Sequence, residues 1–190
     1  AGLFKYDGSW RDIGGDPDDM QCCGSDLYVD YGASGLWRYD GTWMGLSDDP
    51  NGMWCANGDL YVNLSGSLWQ YDGSWAEIGG LADAVEGCGY DLFVDYGADG
   101  LWKYDGVWST IGGDPQSMQC CGGDLYVDLG GNGLWKYDGA WSSLSGDVED
   151  MCCADALYVD FAGGELWRYD GSWTYLSGDT SVMVDVDINP

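Results

Sequence analysis

The fold is decided by the stretch Gly35-Leu36-Trp37-Arg38-Tyr39-Asp40-Gly41-Thr42-Trp43. Its central Tyr-Asp-Gly recurs along the whole chain. The copies begin at Tyr6, Tyr39, Tyr71, Tyr104, Tyr137 and Tyr169, so successive spacings are 33, 32, 33, 33 and 32 residues. A fixed period of this length is typical of repeat architectures, in which each repeat is one supersecondary unit.

Each period contains four short strand-like segments, which we name A to D in chain order. In one repeat, A begins at Met20, B is Leu27 to Asp30, C is Leu36 to Tyr39 and D begins at Trp43. Asp40-Gly41 separates C from D, and Asp-Gly favours the positive φ angles of a type I′ hairpin turn. Four antiparallel strands joined by hairpins and repeated at a fixed period predict the blade of a β-propeller.

The numbers of copies bear on ring closure. Segment B occurs five times, whereas A, C and D occur six times each. Five complete blades run from Met20 to Leu176, and the end segments Leu3 to Ile13 and Met183 to Ile188 are expected to share a sixth. The sequence therefore predicts one all-β repeat domain over residues 1–190, a six-bladed propeller of short four-stranded blades. A five-bladed ring with spare end strands and a linear β-solenoid are the alternatives.

The pattern Gly-Leu-Trp-x-Tyr-Asp-Gly-x-Trp, the short regular blades and the lack of WD or kelch signatures resemble small repeat propellers of the lectin type. The resemblance covers the whole chain at the level of architecture. It implies a multivalent carbohydrate-binding module, but no motif carries the binding residues of those lectins onto this sequence.

Charge excludes several partners. The chain has 33 acidic and 6 basic residues and a formal net charge of -27, whereas nucleic acids and anionic lipid surfaces are bound by cationic side chains. We therefore expect no nucleic acid partner. No apolar run approaches the about 18 residues that a spanning helix requires, so membrane insertion is not expected either.

Tryptophan is the main candidate for ligand contact. Of the 12 tryptophans, most fall into two columns, one in segment C and one at the start of segment D. If D is the outer strand, its Trp rings are partly exposed, and apolar sugar faces can stack on them beside carboxylate acceptors. Trp54 stands outside both columns and is a candidate for a unique contact. The predicted ligand-binding residues are Trp43, Trp54, Trp75, Trp108, Trp141 and Trp173.

Basic residues also form a column. Five of the six occupy one position of segment C, between Trp and Tyr, and Gln70 replaces the cation in one repeat. Segment B carries a column of acids, in which that same repeat has Asn63. The matched change predicts structural ion pairs between neighbouring strands rather than an anion-binding site. The predicted pairs are Arg38 with Asp30, Lys103 with Asp95, Lys136 with Asp128, and Arg168 with Asp160.

Every complete repeat has cysteine in segment A, and this number of cysteines fits an oxidising, extracellular location. The eight are Cys22, Cys23, Cys55, Cys88, Cys120, Cys121, Cys152 and Cys153. One scheme closes the three vicinal pairs on themselves and joins Cys55 to Cys88. The other links successive blades, including the first to the last, and suits a five-bladed ring. Reduced core cysteines and a thiolate metal site are further alternatives.

Acidic loops contain Asp16, Asp18, Asp48 and Asp49, which are weak candidates for a Ca²⁺ site because they lack the EF-hand pattern. Ca²⁺ is a possible cofactor, and none is required. The chain has no His, no Ser-centred elbow and no phosphate loop, so we expect no enzymatic activity.

Two functions remain open at this point. The first is a secreted, lectin-like module that binds glycan through equivalent sites between blades. The second is a structural subunit of an extracellular filament or surface assembly, in which copies of the chain are linked through their end strands and cysteines.

Overall fold

The computed structural model describes residues 2–144 and 146–178, which form 22 β-strands. Two compact units make up the chain, Ala1–Ala82 and Asp83–Pro190. The prediction of a single domain stays a prediction. Among the described residues the only helical segments are three short 3₁₀ turns, Gly32–Ser34, Gly97–Asp99 and Gly130–Asn132.

The first unit contains a two-stranded sheet and two four-stranded sheets. Its strands are β1 (Leu3–Tyr6) and β2 (Trp10–Gly14), then β3 (Asp19–Cys23), β4 (Asp26–Asp30), β5 (Leu36–Tyr39) and β6 (Trp43–Ser47), then β7 (Gly52–Ala56), β8 (Asp59–Leu64), β9 (Ser67–Tyr71) and β10 (Trp75–Gly80).

The second unit contains three four-stranded sheets. Its strands are β11 (Ala84–Cys88), β12 (Asp91–Asp95), β13 (Leu101–Tyr104) and β14 (Trp108–Gly112), then β15 (Ser117–Cys121), β16 (Asp124–Asp128), β17 (Leu134–Tyr137) and β18 (Trp141–Ser143), then β19 (Val148–Cys153), β20 (Leu157–Phe161), β21 (Glu165–Tyr169) and β22 (Trp173–Gly178).

Every four-stranded sheet is antiparallel and keeps the order A-B-C-D, as in β3-β4-β5-β6. Strands β1 and β2 are a C-D pair. The predicted class, an all-β propeller of short four-stranded blades in six sheets, is confirmed. The predicted pairing of Met183 to Ile188 with the first sheet lies outside the described residues.

Turn chemistry agrees with the sequence in part. Asn57 and Gly58 both have positive φ, 55° and 83°, as a type I′ turn requires. The Asp-Gly turns differ from the prediction, because Tyr39 pairs with Trp43 and leaves a three-residue loop in which only Gly41 has positive φ. The carboxylate of Asp40 accepts the backbone N–H of Thr42 at 3.1 Å instead, so this Asp stabilises the loop through its side chain.

The most deeply buried side chains of the core are aliphatic and come from strands B and C. Fully buried Leu and Val recur at the same positions of these strands from one repeat to the next. They are Val29, Leu36, Leu60, Val62, Leu68, Leu92, Val94, Leu101, Leu125, Val127, Leu134, Leu157 and Val159. None of the described residues forms a helix of the length and apolarity needed to span a bilayer.

Three disulfides join the A strands of successive repeats. The bonded pairs are Cys23–Cys55, Cys88–Cys120 and Cys121–Cys153. In each pair the first cysteine lies opposite the first Asp of its own strand B, and the second lies opposite the Leu of that strand. These are three of the four bridges in the predicted scheme that links successive blades; the fourth, between the first blade and the last, is not among the disulfides of the described residues.

The alternative disulfide scheme was wrong. Adjacent residues of a strand point to opposite faces, so vicinal cysteines such as Cys120 and Cys121 reach different neighbouring strands. They bond to Cys88 and Cys153 respectively. Cys22 and Cys152 lie outside the three disulfides.

Candidate binding cavities

The turn between strands B and C positions the tryptophans of segment C. Asp30 is buried, and its carboxylate accepts the backbone N–H of Gly32 at 2.8 Å, which fixes the start of the 3₁₀ turn. The same turn's Ser34 carbonyl accepts the indole N–H of Trp37 at 2.9 Å. Equivalent bonds to the turn carbonyls hold Trp102 and Trp135. Each indole therefore lies over its own turn.

Two tryptophans of segment D are held by the preceding repeat. The indole N–H of Trp43 donates to the carbonyl of Ile13 in β2 at 2.7 Å, and that of Trp141 donates to Ile111 in β14 at 2.8 Å. One side of the Trp43 ring also packs on Tyr39, with ring centroids 4.9 Å apart. These rings are partly buried, and their indole donors are already used within the protein.

The first cavity lies between β2 and the Trp residues of the following repeat. It has a volume of about 590 Å³ and is open to solvent. Its walls include Tyr31, Trp37 and Trp43, and Asp16 lies at its lining. The Tyr31 and Trp43 rings are tilted, with centroids 5.9 Å apart. This arrangement gives an aromatic surface with a carboxylate beside it.

A glycine makes room for the aromatic wall of this cavity. The Tyr31 hydroxyl lies so close to Gly14 that a Cβ on that glycine would overlap it. The hydroxyl is buried and has no hydrogen-bond partner among the described residues. Burial, and secondarily the charge of Asp12, raises the pKa of Tyr31, so the wall is neutral.

The second cavity lies in the second unit and has a volume of about 290 Å³. Phe161, Trp167 and Trp173 form its aromatic wall, and Glu165 lies beside them. The Trp167 and Trp173 rings meet edge to face at 6.5 Å, and Phe161 lies 5.3 Å from Trp173. Glu165 accepts the indole N–H of Trp167 at 3.2 Å.

The two cavities occupy the same place in their repeats. Each is bounded by an aliphatic residue that ends the previous segment D, by the aromatic residue after the buried Asp of segment B, and by the Trp of segments C and D. The corresponding residues are Ile13 and Leu144, Tyr31 and Phe161, Trp37 and Trp167, and Trp43 and Trp173. The repeat has thus duplicated a cavity.

Of the predicted ligand-binding residues, Trp43 and Trp173 line these cavities. Trp75 and Trp141 are partly buried and pack against hydrophobic clusters, and Trp108 packs on Tyr104 at 4.8 Å. Trp54 lies in strand β7 opposite Tyr61 and lines neither cavity. The remaining candidates therefore stay predictions.

Sequence reasoning missed Tyr31 and Phe161. Both follow the buried Asp of strand B, a position that holds Leu64 and Leu129 in other repeats. The signal was the alternation of aromatic and aliphatic residues at this position, which holds Tyr31, Leu64, Tyr96, Leu129 and Phe161 in successive repeats.

The predicted partners of the cation column were wrong, although its cations are paired. Arg38 contacts Asp26 at 2.7 Å rather than Asp30. Asp26 begins strand B beside the C–D turn, whereas the Asp30 carboxylate is used by the Gly32 N–H at the opposite, buried end. Lys103 contacts Asp91 and Asp105 instead of Asp95, Lys136 contacts Asp124 and Asp138 instead of Asp128, and Arg168 contacts Asp155 and Asp170 instead of Asp160.

The matched pair Gln70 and Asn63 has a different explanation as well. The Gln70 amide donates to Asp59 at 2.8 Å, so it keeps the contact that the cations make with the first Asp of strand B. Asn63 donates to the Ala82 carbonyl at 3.3 Å. The two substitutions therefore serve separate contacts.

The predicted Ca²⁺ candidates do not come together. Across residues 2–144 and 146–178, no three Asp, Glu or Cys side chains are grouped so that they could hold a metal ion. Asp18 packs against Gly32, where a Cβ would overlap its carboxylate.

No protein-family model and no curated protein matches the sequence. Solved structures of β-propeller proteins do resemble its fold. BBS1N in complex with ARL6DN is 16% identical, with a TM-score of 0.54 over 90% of this chain and 68% of that chain. An ancestral GH74 enzyme is 12% identical, with a TM-score of 0.54 over 87% of this chain and 32% of that chain. YCF48 bound to D1 peptide is 15% identical, with a TM-score of 0.50 over 80% of this chain and 65% of that chain. The chain spans about two thirds of the first and third structures and a third of the second, and it is similar to all three in fold.

Proposed function

We propose that this chain is a non-catalytic, extracellular binding module whose repeated aromatic cavities bind carbohydrate. The observation that carries the proposal is the recurrence of one cavity, with two tryptophans and a third aromatic ring, in two repeats. Packing alone does not explain why both repeats have an open aromatic cavity beside an exposed carboxylate.

The chemistry of the walls suits a sugar ring. Aromatic rings offer flat apolar surfaces on which the C–H face of a pyranose stacks, and a few polar groups beside them fix its orientation. In the first cavity Asp16 supplies a carboxylate, and in the second Glu165 does. Carboxylates accept hydrogen bonds from sugar hydroxyls. With a net charge of -27, the surface favours neutral or cationic glycans over sulfated or sialylated ones.

Duplication of the cavity supports multivalent binding. A single shallow site binds a sugar weakly, but linked sites that engage one branched glycan or surface raise the apparent affinity by avidity, about 10²–10⁴-fold. The three disulfides suit an oxidising, extracellular location, where glycans are abundant.

Glycan-array binding of the full chain tests the proposal. We expect binding that falls in the Trp43→Ala and Trp173→Ala variants. Because truncating a partly buried Trp can unfold the chain, Ser34→Trp provides a second test, since Ser34 lines the first cavity and is exposed. Ala76→Trp is its matched control, an exposed position on β10 outside both linings.

Absence of binding to every glycan, or binding that Ser34→Trp and Ala76→Trp weaken equally, would contradict the proposal. Protein or peptide ligands would then be the next class to test, since two of the similar structures are of complexes with such partners.

A further inference from the structure

Three of the tryptophans that line the cavities use their N–H groups within the protein. The indole N–H groups of Trp37 and Trp43 donate to backbone carbonyls at 2.9 and 2.7 Å. In the second cavity, the indole N–H of Trp167 donates to the Glu165 carboxylate at 3.2 Å. These indoles therefore offer a ligand an aromatic surface rather than a hydrogen-bond donor.

Each cavity also has a carboxylate in its lining and no cationic side chain there. Asp16 lines the first cavity and Glu165 lines the second, and both residues are exposed. The chain has six basic residues, and none of them is among the described residues that line either cavity. Five of the six contact carboxylates at other places, and these are Arg11, Arg38, Lys103, Lys136 and Arg168. The linings thus combine aromatic rings with negative charge alone.

The rings of the second cavity are inclined to one another rather than stacked. Trp167 and Trp173 lie at 87° with centroids 6.5 Å apart, and Phe161 and Trp173 lie at 63° with centroids 5.3 Å apart. In the first cavity, Tyr31 and Trp43 lie at 59°. Walls of different direction can contact a compact group on more than one side. An ammonium group over an aromatic face is attracted by the quadrupole of the ring.

A primary ammonium group suits both the rings and the carboxylates, because it has three N–H donors, a positive charge and no acceptor. We propose that the glycan bound by these cavities contains amino sugars with a free, protonated amine. The pyranose ring stacks on the indoles, and the ammonium group donates to Asp16 in the first cavity and to Glu165 in the second. This inference rests on the proposed carbohydrate binding and adds the chemical class of the sugar.

Glu165 can bind the ammonium group without losing its bond to Trp167. The indole N–H reaches one carboxylate oxygen, and an ionised carboxylate has two oxygens with about four acceptor sites. A hydrogen bond between two charged groups is roughly twice as strong as one between neutral groups, so the carboxylate selects an amine over a hydroxyl at the same place. Acetylation of that amine removes the charge and two of its N–H donors, and should therefore weaken binding.

NMR titration of the ¹⁵N-labelled full chain with a matched pair of sugars tests this inference. Methyl glucosaminide has a free amine that, like other aliphatic amines, is protonated at about pH 6. Methyl N-acetylglucosaminide is the same sugar with the amine acetylated. The indole signals of Trp37 and Trp43 report on the first cavity, and those of Trp167 and Trp173 report on the second.

We expect the free amine to bind about tenfold more tightly than its acetylated form at both cavities. This preference should shrink as the salt concentration rises from about 0.01 M to about 1 M, because salt screens the attraction between the ammonium group and the carboxylate.

Variants matched in charge separate the local carboxylate from the field of the whole chain. Glu165→Gln keeps an oxygen that can accept the Trp167 N–H, and it should reduce the preference for the amine about fivefold at the second cavity. Glu149→Gln removes the same charge at an exposed position outside both linings, and it should change the preference by less than about twofold. Asp16→Asn and Asp114→Asn form the corresponding pair for the first cavity, since Asp114 is the exposed counterpart of Asp16 in another repeat. Circular dichroism checks that each variant is folded.

Equal or tighter binding of the acetylated sugar would overturn this inference and leave the proposed glycan binding standing. An equal loss of preference in Glu165→Gln and Glu149→Gln would overturn it as well, because the net charge alone would then select the amine. Tetramethylammonium that binds as tightly as the amino sugar would contradict the role of the sugar ring and of the N–H donors. If neither these sugars nor glycosides without nitrogen shift the cavity indoles, the proposed function fails together with the inference.

Discussion

The indole N–H of Trp43 donates to the carbonyl of Ile13 at 2.7 Å and so ties the outer strand of one sheet to the outer strand of the sheet before it. The same ring lines the first cavity. The residue therefore serves packing and, in our proposal, ligand contact, and mutations must separate the two roles.

Trp43→Phe removes the hydrogen bond but keeps an aromatic wall. We expect it to lower the free energy of unfolding by about 1–2 kcal/mol, because the Ile13 carbonyl loses its indole donor. Urea denaturation followed by circular dichroism measures this. Trp10→Phe is the control, since Trp10 is 72% exposed, and it should change stability by less than about 0.5 kcal/mol. Equal effects of the two changes would contradict the structural role.

The Tyr31→Phe variant places a phenylalanine in the wall of the first cavity, at the position that Phe161 occupies in the second. The Tyr31 hydroxyl is buried without a hydrogen-bond partner among the described residues. Its removal should raise the free energy of unfolding by about 1 kcal/mol, because an unsatisfied buried hydroxyl is costly. A loss of stability in this variant would show that the hydroxyl has a partner, such as an ordered water.

Removing one inter-repeat disulfide should be costly. The Cys23→Ser, Cys55→Ser double variant is expected to lose about 3 kcal/mol, given the separation of 32 residues between the bonded cysteines. Cys22→Ser, at an exposed position, should lose less than about 0.5 kcal/mol. Denaturant unfolding under non-reducing conditions compares them, and similar losses would contradict the assigned connectivity.

The buried Asp of strand B should give a pH-dependent effect of known sign. Burial raises the pKa of Asp128 above its ordinary 3.8, although the Gly130 N–H partly opposes this. The folded chain then binds this proton more tightly than the unfolded chain, so wild-type stability falls as pH rises between the two pKa values. The Asp128→Asn variant has no ionisable group at this position, so its stability does not fall in this way as pH rises. The melting temperature of the variant minus that of wild type should therefore be greater at about pH 7 than at about pH 3.

Asp40→Asn is the control of opposite sign. Hydrogen bonds from Thr42, with the Arg38 charge as a smaller cause, lower the pKa of Asp40. Its stabilisation is present above the unfolded pKa and is lost as pH falls through the folded pKa, so this variant's deficit should shrink at low pH. A pH-independent difference for Asp128→Asn would argue that its carboxylate is not desolvated.

The repeat and its four strands could be predicted from sequence because Tyr-Asp-Gly fixes the C–D hairpin in every copy. Disulfides between repeats were predictable as one of two schemes, and strand alternation at Cys120 and Cys121 explains which is formed. The acidic partners in the ion pairs could not be predicted from the sequence. Asp26 and Asp30 lie on the same face of β4, on either side of the Tyr28 that pairs with Arg38, and only the turn's demand on Asp30 decides between them.

The cavities were predictable only as a repeated site beside segment D. Their third wall, Tyr31 or Phe161, depends on how the B–C turn directs the residue after the buried Asp. Spacing alone does not contain that information: for Tyr31, the backbone before the turn is fixed by the hydrogen bond from the N–H of Gly32 to the Asp30 carboxylate.

The most direct test of ligand binding at the repeated cavities follows the indole N–H signals of the ¹⁵N-labelled full chain while a panel of methyl glycosides is added. Binding as proposed shifts the indole signals of Trp37, Trp43, Trp167 and Trp173, which line the cavities, and leaves those of Trp10 and Trp54 unchanged. Shifts confined to Trp10 or Trp54, or no shift with any glycoside, would contradict it.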